Sequence, residues 1–369
     1  MPDNKLNQEN IDLQKHIADG AGKIIQDAVK ATLRDPKQSA FFARFAVASA
    51  KAARTRMALE EKGEHVPAFL IASITSRCNL HCAGCYARGL ESATDDAPVD
   101  QLTGEQWKKI FEEARELGVS FIMLAGGEPM IRRDVIDAAG EIPEILFPIF
   151  TNGTFFNDEY RALFDRCRNL VPVLSIEGGM QVTDARRGQG MYGRLLRLMD
   201  DFHEKRQLFG ASVTVTTRNY KEVTSPEFMD TLISRGCRLI IYVEYVPTRA
   251  EETFLAPGEA ERVYLAERID AVRSRQQDVI LLSFPGDELA MGGCMAGGRE
   301  FFHINSHGGA EPCPFSPYSD INVAVSSLRE ALNSPLFRAL RENGLLEGEH
   351  SGGCVLFEKR DQVAALLQR

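Results

Sequence analysis

Between residues 67 and 283, short apolar runs alternate with longer amphipathic stretches, and this alternation constrains the fold more than any other feature of the chain. The runs are AFLIASI (68–74), VSFIMLA (119–125), EILFPIF (144–150), LVPVLSI (170–176), ASVTVTT (211–217) and LIIYVEYV (239–246). Helical patterns lie at about 103–117, 132–141, 156–167, 191–208, 226–235 and 258–275. Parallel neighbours need long crossovers, and helices readily cover the faces of their sheet. Six such units therefore predict an α/β fold with a parallel sheet, as a partial barrel or an open doubly wound sheet. In either, ligands bind at the carboxyl ends of the strands.

The flanks differ. Residues 1–66 read as a helical extension, with Ile24–Leu33 and Phe41–Leu59 at helical spacing, ended by Gly63 and Pro67. After about residue 284 a glycine-rich, cysteine-containing segment begins, predicting a smaller domain over 284–369 beside the 67–283 barrel. The 44% hydrophobic and 26% charged residues are those of a globular protein, and a net charge of -9 speaks against general nucleic-acid binding. No apolar run is long enough to span a bilayer: Ala40 to Ala50 is short and interrupted by Arg44. The polar N-terminus, MPDNKLNQEN, lacks the apolar core of a secretory signal, so a cytoplasmic location is expected. In that reducing compartment the eight cysteines read as metal ligands, redox groups or buried thiols.

Three of them cluster in SITSRCNLHCAGCYARG, directly after the first predicted strand. The C-x3-C-x2-C spacing of Cys78, Cys82 and Cys85 lets one loop fold three thiolates around a cubane cluster and leaves one iron open to a ligand. A zinc site is the alternative on spacing alone, with His81 as its fourth ligand. The second strand ends in Gly126-Gly127-Glu128-Pro129, where glycines allow close backbone approach and carbonyls or a carboxylate can accept from an ammonium group. The fourth ends in Ser175-Ile176-Glu177-Gly178 at the same end of the sheet.

Over about residues 68–250 these motifs resemble the radical SAM superfamily. The resemblance implies a partial (β/α)6 barrel, a [4Fe-4S] cluster on Cys78, Cys82 and Cys85, and S-adenosylmethionine as cofactor. It further implies that Gly126, Gly127 and Glu128 receive the methionine amino group and that Ser175 lies near the ribose or carboxylate. Family loops often carry an aromatic residue before the third cysteine; this chain has Gly84 there and Tyr86 on the other side, and Tyr86 is counted among the cofactor-binding candidates. Cys294 and Cys313, in a C-x13-G-x4-C pattern through Gly308, and Cys354 resemble the SPASM or shorter twitch domains. That likeness implies one auxiliary [4Fe-4S] cluster whose remaining iron takes a substrate atom, water, His307 or His350, with a structural zinc site or buried thiols as the alternative. Cys167 and Cys237 read as packed thiols.

The fifth run alternates Ser212, Thr214, Thr216 and Arg218 with Ala211, Val213 and Val215, which predicts a polar lumen. In the sixth, Tyr242 and Glu244 are candidate proton acceptors, unless Glu244 pairs with a buried arginine such as Arg218. Arg186 and Arg187 are candidates for a cofactor carboxylate. The expected function is reductive cleavage of S-adenosylmethionine and hydrogen abstraction from a peptide, protein or cofactor precursor, under anaerobic conditions and with a flavodoxin- or ferredoxin-type electron donor. A non-catalytic zinc-binding regulatory or scaffold protein is the alternative.

Overall fold

A computed structural model describes residues 35–96, 99–275, 279–285, 293–347 and 354–367. The chain opens with helix α1 (Pro36–Glu60); the helix expected at Ile24–Leu33 lies outside the described residues. There follow β1 (Phe69–Ser73), α2 (Tyr86–Gly89), α3 (Gly104–Leu117), β2 (Phe121–Ala125), α4 (Arg133–Gly140), β3 (Phe147–Thr151), α5 (Asp158–Arg166) and β4 (Leu170–Ser175). Next come α6 (Met180–Arg187), α7 (Met191–Glu204), β5 (Gly210–Val215), α8 (Pro226–Ser234), β6 (Leu239–Glu244), α9 (Glu259–Arg275) and β7 (Ile280–Phe284). The C-terminal part holds β8 (His303–Ile304), β9 (Ala310–Glu311), α10 (Leu328–Leu332), α11 (Pro335–Glu342), α12 (Val355–Glu358) and α13 (Arg360–Leu366).

The nine strands of the described residues share one curled sheet, ordered β7-β6-β5-β4-β3-β2-β1-β8-β9. Every neighbouring pair is parallel except β8 with β9. The result is the expected half-barrel with one strand more than the six alternations. β7 pairs with β6 from Leu239↔Ile280 to Val243↔Phe284, and its apolar stretch ILLSF falls where the alternation was read as ending. The sheet also continues past residue 284, because β8 lies against β1 and carries β9 with it.

Local sequence accounts for the elements. Thr103 and Gln106 form a reciprocal capping box at the start of α3, and Trp107, Ile110, Phe111, Ala114 and Leu117 bury one face of that helix. Phe111 meets Phe147 of β3 edge-on, with ring centroids 5.0 Å apart. The same apolar cluster takes in Phe302, Ile304, Ala310, Phe337 and Leu340 of the C-terminal part. On α1, Phe41, Phe42 and Phe45 pack against Phe121, Leu146, Leu208 and Ile280, which lie at or just before the starts of β2, β3, β5 and β7. The helix therefore closes the amino-terminal mouth of the barrel, opposite the ligand end. Among the described residues no helix is long and apolar enough to cross a membrane.

Candidate active site

The loop after β1 is held in shape by its own polar groups. Cys78 N–H donates to Thr94 O (2.9 Å), Ala83 N–H to Arg186 O (2.8 Å) and Cys85 N–H to Cys82 O (3.2 Å). Arg88, three residues beyond Cys85, donates Nε to Leu80 O (2.9 Å) and Nη2 to Cys78 O (3.2 Å) and to Asp95 Oδ1 (2.7 Å). Cys78, Cys82 and Cys85 all face a cavity of about 280 Å³ at the carboxyl end of the strands. Cys294, Cys313 and Cys354 line the same cavity from the C-terminal part. Its walls include Ile71, Met123, Phe150, Ile241, Val243 and Phe315.

The donor chemistry fits an iron–sulfur cluster. Cys78, Cys82 and Cys85 are half-buried free thiols and Cys294, Cys313 and Cys354 are buried cysteines, so each set can offer three sulfur ligands. His81, which a zinc site would need, is exposed and bonds Asp95 at 2.9 Å instead. Burial raises the pKa of Cys78 and of Cys82, with Arg187 opposing it at Cys82, so thiolate ligation there must displace protons.

Gly126 and Gly127 line the cavity, and their lack of a side chain serves the cysteine loop. A Cβ would lie 2.3 Å from Thr75 O at Gly126 and 2.2 Å from Arg77 O at Gly127, and Gly127 N–H donates to Thr75 O (2.8 Å). Glu128, expected to receive an ammonium group, lines the cavity as well and is buried and engaged. It accepts from Thr151 Oγ1 (2.7 Å), Asn152 N (2.7 Å) and Met130 N (3.0 Å), and burial drives its pKa up in spite of those bonds. Ser175 at the end of β4 and its register partner Ser212 on β5 both face the cavity, as does Thr214. Tyr86 lines it as well, edge-on to Phe315 at 4.7 Å, and so links the loop of Cys85 to that of Cys313.

Two expectations on β6 divide. Glu244 lines the cavity and lies 3.3 Å from Arg262 Nε, not against Arg218, whose guanidinium sits over Phe254. Tyr242 is turned away: it is buried in the layer between sheet and helices, and its hydroxyl donates to Val223 O (2.9 Å). Ile241 and Val243, which the pleat alternates with Tyr242, line the lumen along β6, and Glu244 reaches it at the end of the strand. Arg186 and Arg187 are also committed elsewhere. Both pair with the fully buried Glu177, Arg186 Nε at 3.4 Å. Glu177 also accepts from Thr214 N (2.9 Å). Burial opposes the charge of Arg187, yet Glu177 and the cysteines outweigh it and leave its pKa raised.

Tyr245, just past β6, lies against Gly84, and its hydroxyl donates to Glu252 at 2.8 Å. Cys237 is a packed thiol whose Sγ–H donates to Leu239 O (3.3 Å), and burial moves its pKa to about 12. Cys167 packs near Gly140. His307 is exposed beside Ser306, and His350 lies outside the described residues. The sequence reading missed Arg88, Tyr245 and the Glu177–Arg187 pair. Only Arg88 stands close enough to a cysteine to have been found from its spacing.

A parallel half-barrel with three loop cysteines at its ligand end defines a class of cluster-dependent enzymes. Residues 72–232 match the family model described as the radical SAM superfamily, so the chain carries a radical SAM domain there. Its cofactors are accordingly a [4Fe-4S] cluster and S-adenosylmethionine. Among curated relatives, the AdoMet-dependent heme synthase of Methanosarcina barkeri is 26% identical over 313 residues, which is 77% of this chain and 88% of that protein. Among solved structures, Streptococcus suis SuiB bound to S-adenosylmethionine superposes with a TM-score of 0.65 at 19% identity, covering 79% of this chain and 72% of that one. Native anSMEcpe with bound AdoMet gives 0.58 at 15% identity, covering 81% and 95%.

Proposed function

We propose that Cys78, Cys82 and Cys85 hold the [4Fe-4S] cluster that binds S-adenosylmethionine, and that Cys294, Cys313 and Cys354 hold an auxiliary [4Fe-4S] cluster in a C-terminal domain over about 284–369. The observation that carries this reading is that both sets of thiols line one cavity. When bound, the cluster and cofactor supply a 5′-deoxyadenosyl radical able to abstract hydrogen from an unactivated carbon. The chain's own part is to hold and enclose. Gly126, Gly127 and Ser175 form the wall that receives the cofactor, with Tyr86 beside it. Glu128 belongs to the same wall and also fixes the backbone of 130 and 152. Glu244 is the proton-accepting candidate left on β6. The apolar walls exclude water from the space between the two cysteine sets.

The substrate we infer is a peptide or protein. SuiB was solved with a precursor peptide and anSMEcpe with a peptide and AdoMet, and a stretch of this chain is similar to a PqqA peptide cyclase. A second reading, a tetrapyrrole precursor, is favoured by the heme synthase likeness, which extends over most of both chains. A flavodoxin- or ferredoxin-type protein would deliver the electron. The test is anaerobic reconstitution with iron and sulfide followed by dithionite and S-adenosylmethionine. Formation of 5′-deoxyadenosine is expected, and a chain that binds no iron and forms none overturns the proposal in favour of a zinc-binding scaffold. Titration with Fe-coproporphyrin III, followed in the Soret band, separates the two substrate readings.

A further inference from the structure

Three adjacent strands, β1, β8 and β9, each contribute one side chain to a hydrogen-bonded row. Ser73 ends β1, two residues beyond Ile71 and in register with Ala125 of β2, and both of those residues line the cavity. The pleat therefore turns its side chain toward the same lumen. Its Oγ lies 2.7 Å from Nε2 of His303 on β8. Nδ1 of His303 lies 2.7 Å from Oε2 of Glu311 on β9, and Asn305 Nδ2 donates to Glu311 Oε1 at 2.6 Å. His303 and Glu311 are only 4% and 6% exposed.

The direction of these bonds is set from the far end. Asn305 Oδ1 accepts from the backbone N–H groups of His307 (3.0 Å) and Gly309 (2.9 Å), so the amide nitrogen is the end that faces Glu311. Glu311 then accepts from Asn305 on one oxygen and from Nδ1–H of His303 on the other. In the neutral form of that ring Nε2 is an acceptor, filled by the Ser73 hydroxyl proton. In that form Ser73 turns oxygen lone pairs, and not its proton, to the lumen.

We propose that Ser73 and His303 form a general-base site on the cavity wall, which takes a proton from an N–H, O–H or S–H group of the substrate. The X–H bond breaks with its electron pair remaining on X. Ser73 Oγ gains that proton and passes its own to Nε2 of His303, whose new charge Glu311 offsets; no electron changes hands. The site deepens the function proposed above and rests on it in one respect, that the substrate occupies this cavity. It adds a feature to the substrate: besides the carbon that loses hydrogen, a polar group with a removable proton reaches the β1 wall.

Methanesulfonyl fluoride probes the base directly, because a hydroxyl relieved of its proton attacks sulfur, an O–S bond forms and fluoride leaves. The anaerobically reconstituted full chain is treated with the reagent, and the peptide containing residue 73 is followed by mass spectrometry. The expected result is sulfonylation at Ser73, slowed about 100-fold in His303→Gln, a loss within the usual range for a general base. Iron content and circular dichroism show whether that variant is folded; if it is not, the nearly isosteric Glu311→Gln decides, with a slowing of about 10-fold expected. An unlabelled Ser73, or labelling at the same rate in wild type and in the folded variant, overturns the proposal. Formation of 5′-deoxyadenosine by the same wild-type sample reports the radical chemistry separately. Labelled Ser73 without 5′-deoxyadenosine leaves the base and removes the earlier reading, and the converse removes the base alone.

Discussion

Arg187 reaches with Nη1 to 3.8 Å from the sulfur of Cys82 while Nη2 is bonded to the buried carboxylate of Glu177. One guanidinium thus joins the end of α6 to the cysteine loop and neutralises a carboxylate with no exposure to solvent. Stranding a buried charge altogether costs about 3–5 kcal/mol; Arg186 Nε stays 3.4 Å from Glu177 when Arg187 is removed, so the loss is part of that, and removing the carboxylate as well is milder. Arg187→Met should therefore lower the melting temperature and the iron retained per chain, and adding Glu177→Gln should restore much of the stability. Equal melting temperatures for the single and double variants would show that the pair is not what stabilises this end of the barrel.

The two sets of cysteines make separable predictions. Cys82→Ala is expected to abolish 5′-deoxyadenosine formation. Cys313→Ala should retain that cleavage and lose about half of the iron, since one of two proposed clusters remains. Iron and sulfide analysis with chromatography of the nucleoside product distinguishes them. The same iron loss with the same loss of cleavage in both variants would point to a single shared centre.

A pH dependence follows from the junction between α1 and the C-terminal part. Burial raises the carboxyl of Glu300 to about 7, with His65, Arg299 and Arg56 pulling the other way. His65 beside it is also raised: burial works against its charge, but the hydrogen bond to Glu60 prevails. Both groups hold a proton more tightly in the folded chain than in the unfolded one. Their contribution is complete below the unfolded values, 4.5 for Glu300 and 6.5 for His65, and is lost as pH rises through the folded ones. Stability should accordingly fall from pH 5 to pH 8. For Glu300 the loss is of the order of 3 kcal/mol. Glu300→Gln should be more stable than wild type at pH 8 and show a flatter profile in denaturant titrations. A profile as steep as that of wild type would count against Glu300 as the source.

Much of this was readable in the sequence because burial of parallel strands leaves a strong pattern. The six runs from AFLIASI to LIIYVEYV each hold all or all but one residue of the strand that formed, and the helix expected at 103–117 forms at Gly104–Leu117, capped by Thr103. The short element β7 was missed because its five residues adjoin the glycine-rich segment that looked like a boundary. β8 and β9, two residues each, carry no periodicity at all, so nothing announced that His303 would stand beside Ser73. On β6 the shared face expected of Tyr242 and Glu244 holds for Glu244 at the strand end and fails for Tyr242. Tyr242 has a polar end, but that end finds Val223 O in the helix layer, and an apolar-looking Val243 faces the lumen. Likewise Glu128 was recognised as special, but not that three donors already occupy its carboxylate.

Gly84 is the residue whose oddity the sequence marked and whose reason lies far along the chain. It sits at φ +63, where a side chain is strained, and a Cβ there would come within 2.7 Å of the Tyr245 ring. That ring cannot simply swing aside, since Glu252 holds its hydroxyl and the Arg186 guanidinium lies 5.9 Å over its face. Gly84→Ala should therefore meet two costs, the left-handed backbone at about 1–2 kcal/mol and the collision with the ring. Tyr245→Ala in the same chain removes the collision and leaves the backbone strain. Iron bound per chain after reconstitution, together with the melting temperature, should thus rank wild type above the double variant and the double variant above Gly84→Ala. If the double variant is no better than Gly84→Ala alone, backbone strain is the whole effect and Tyr245 does not confine the cysteine loop.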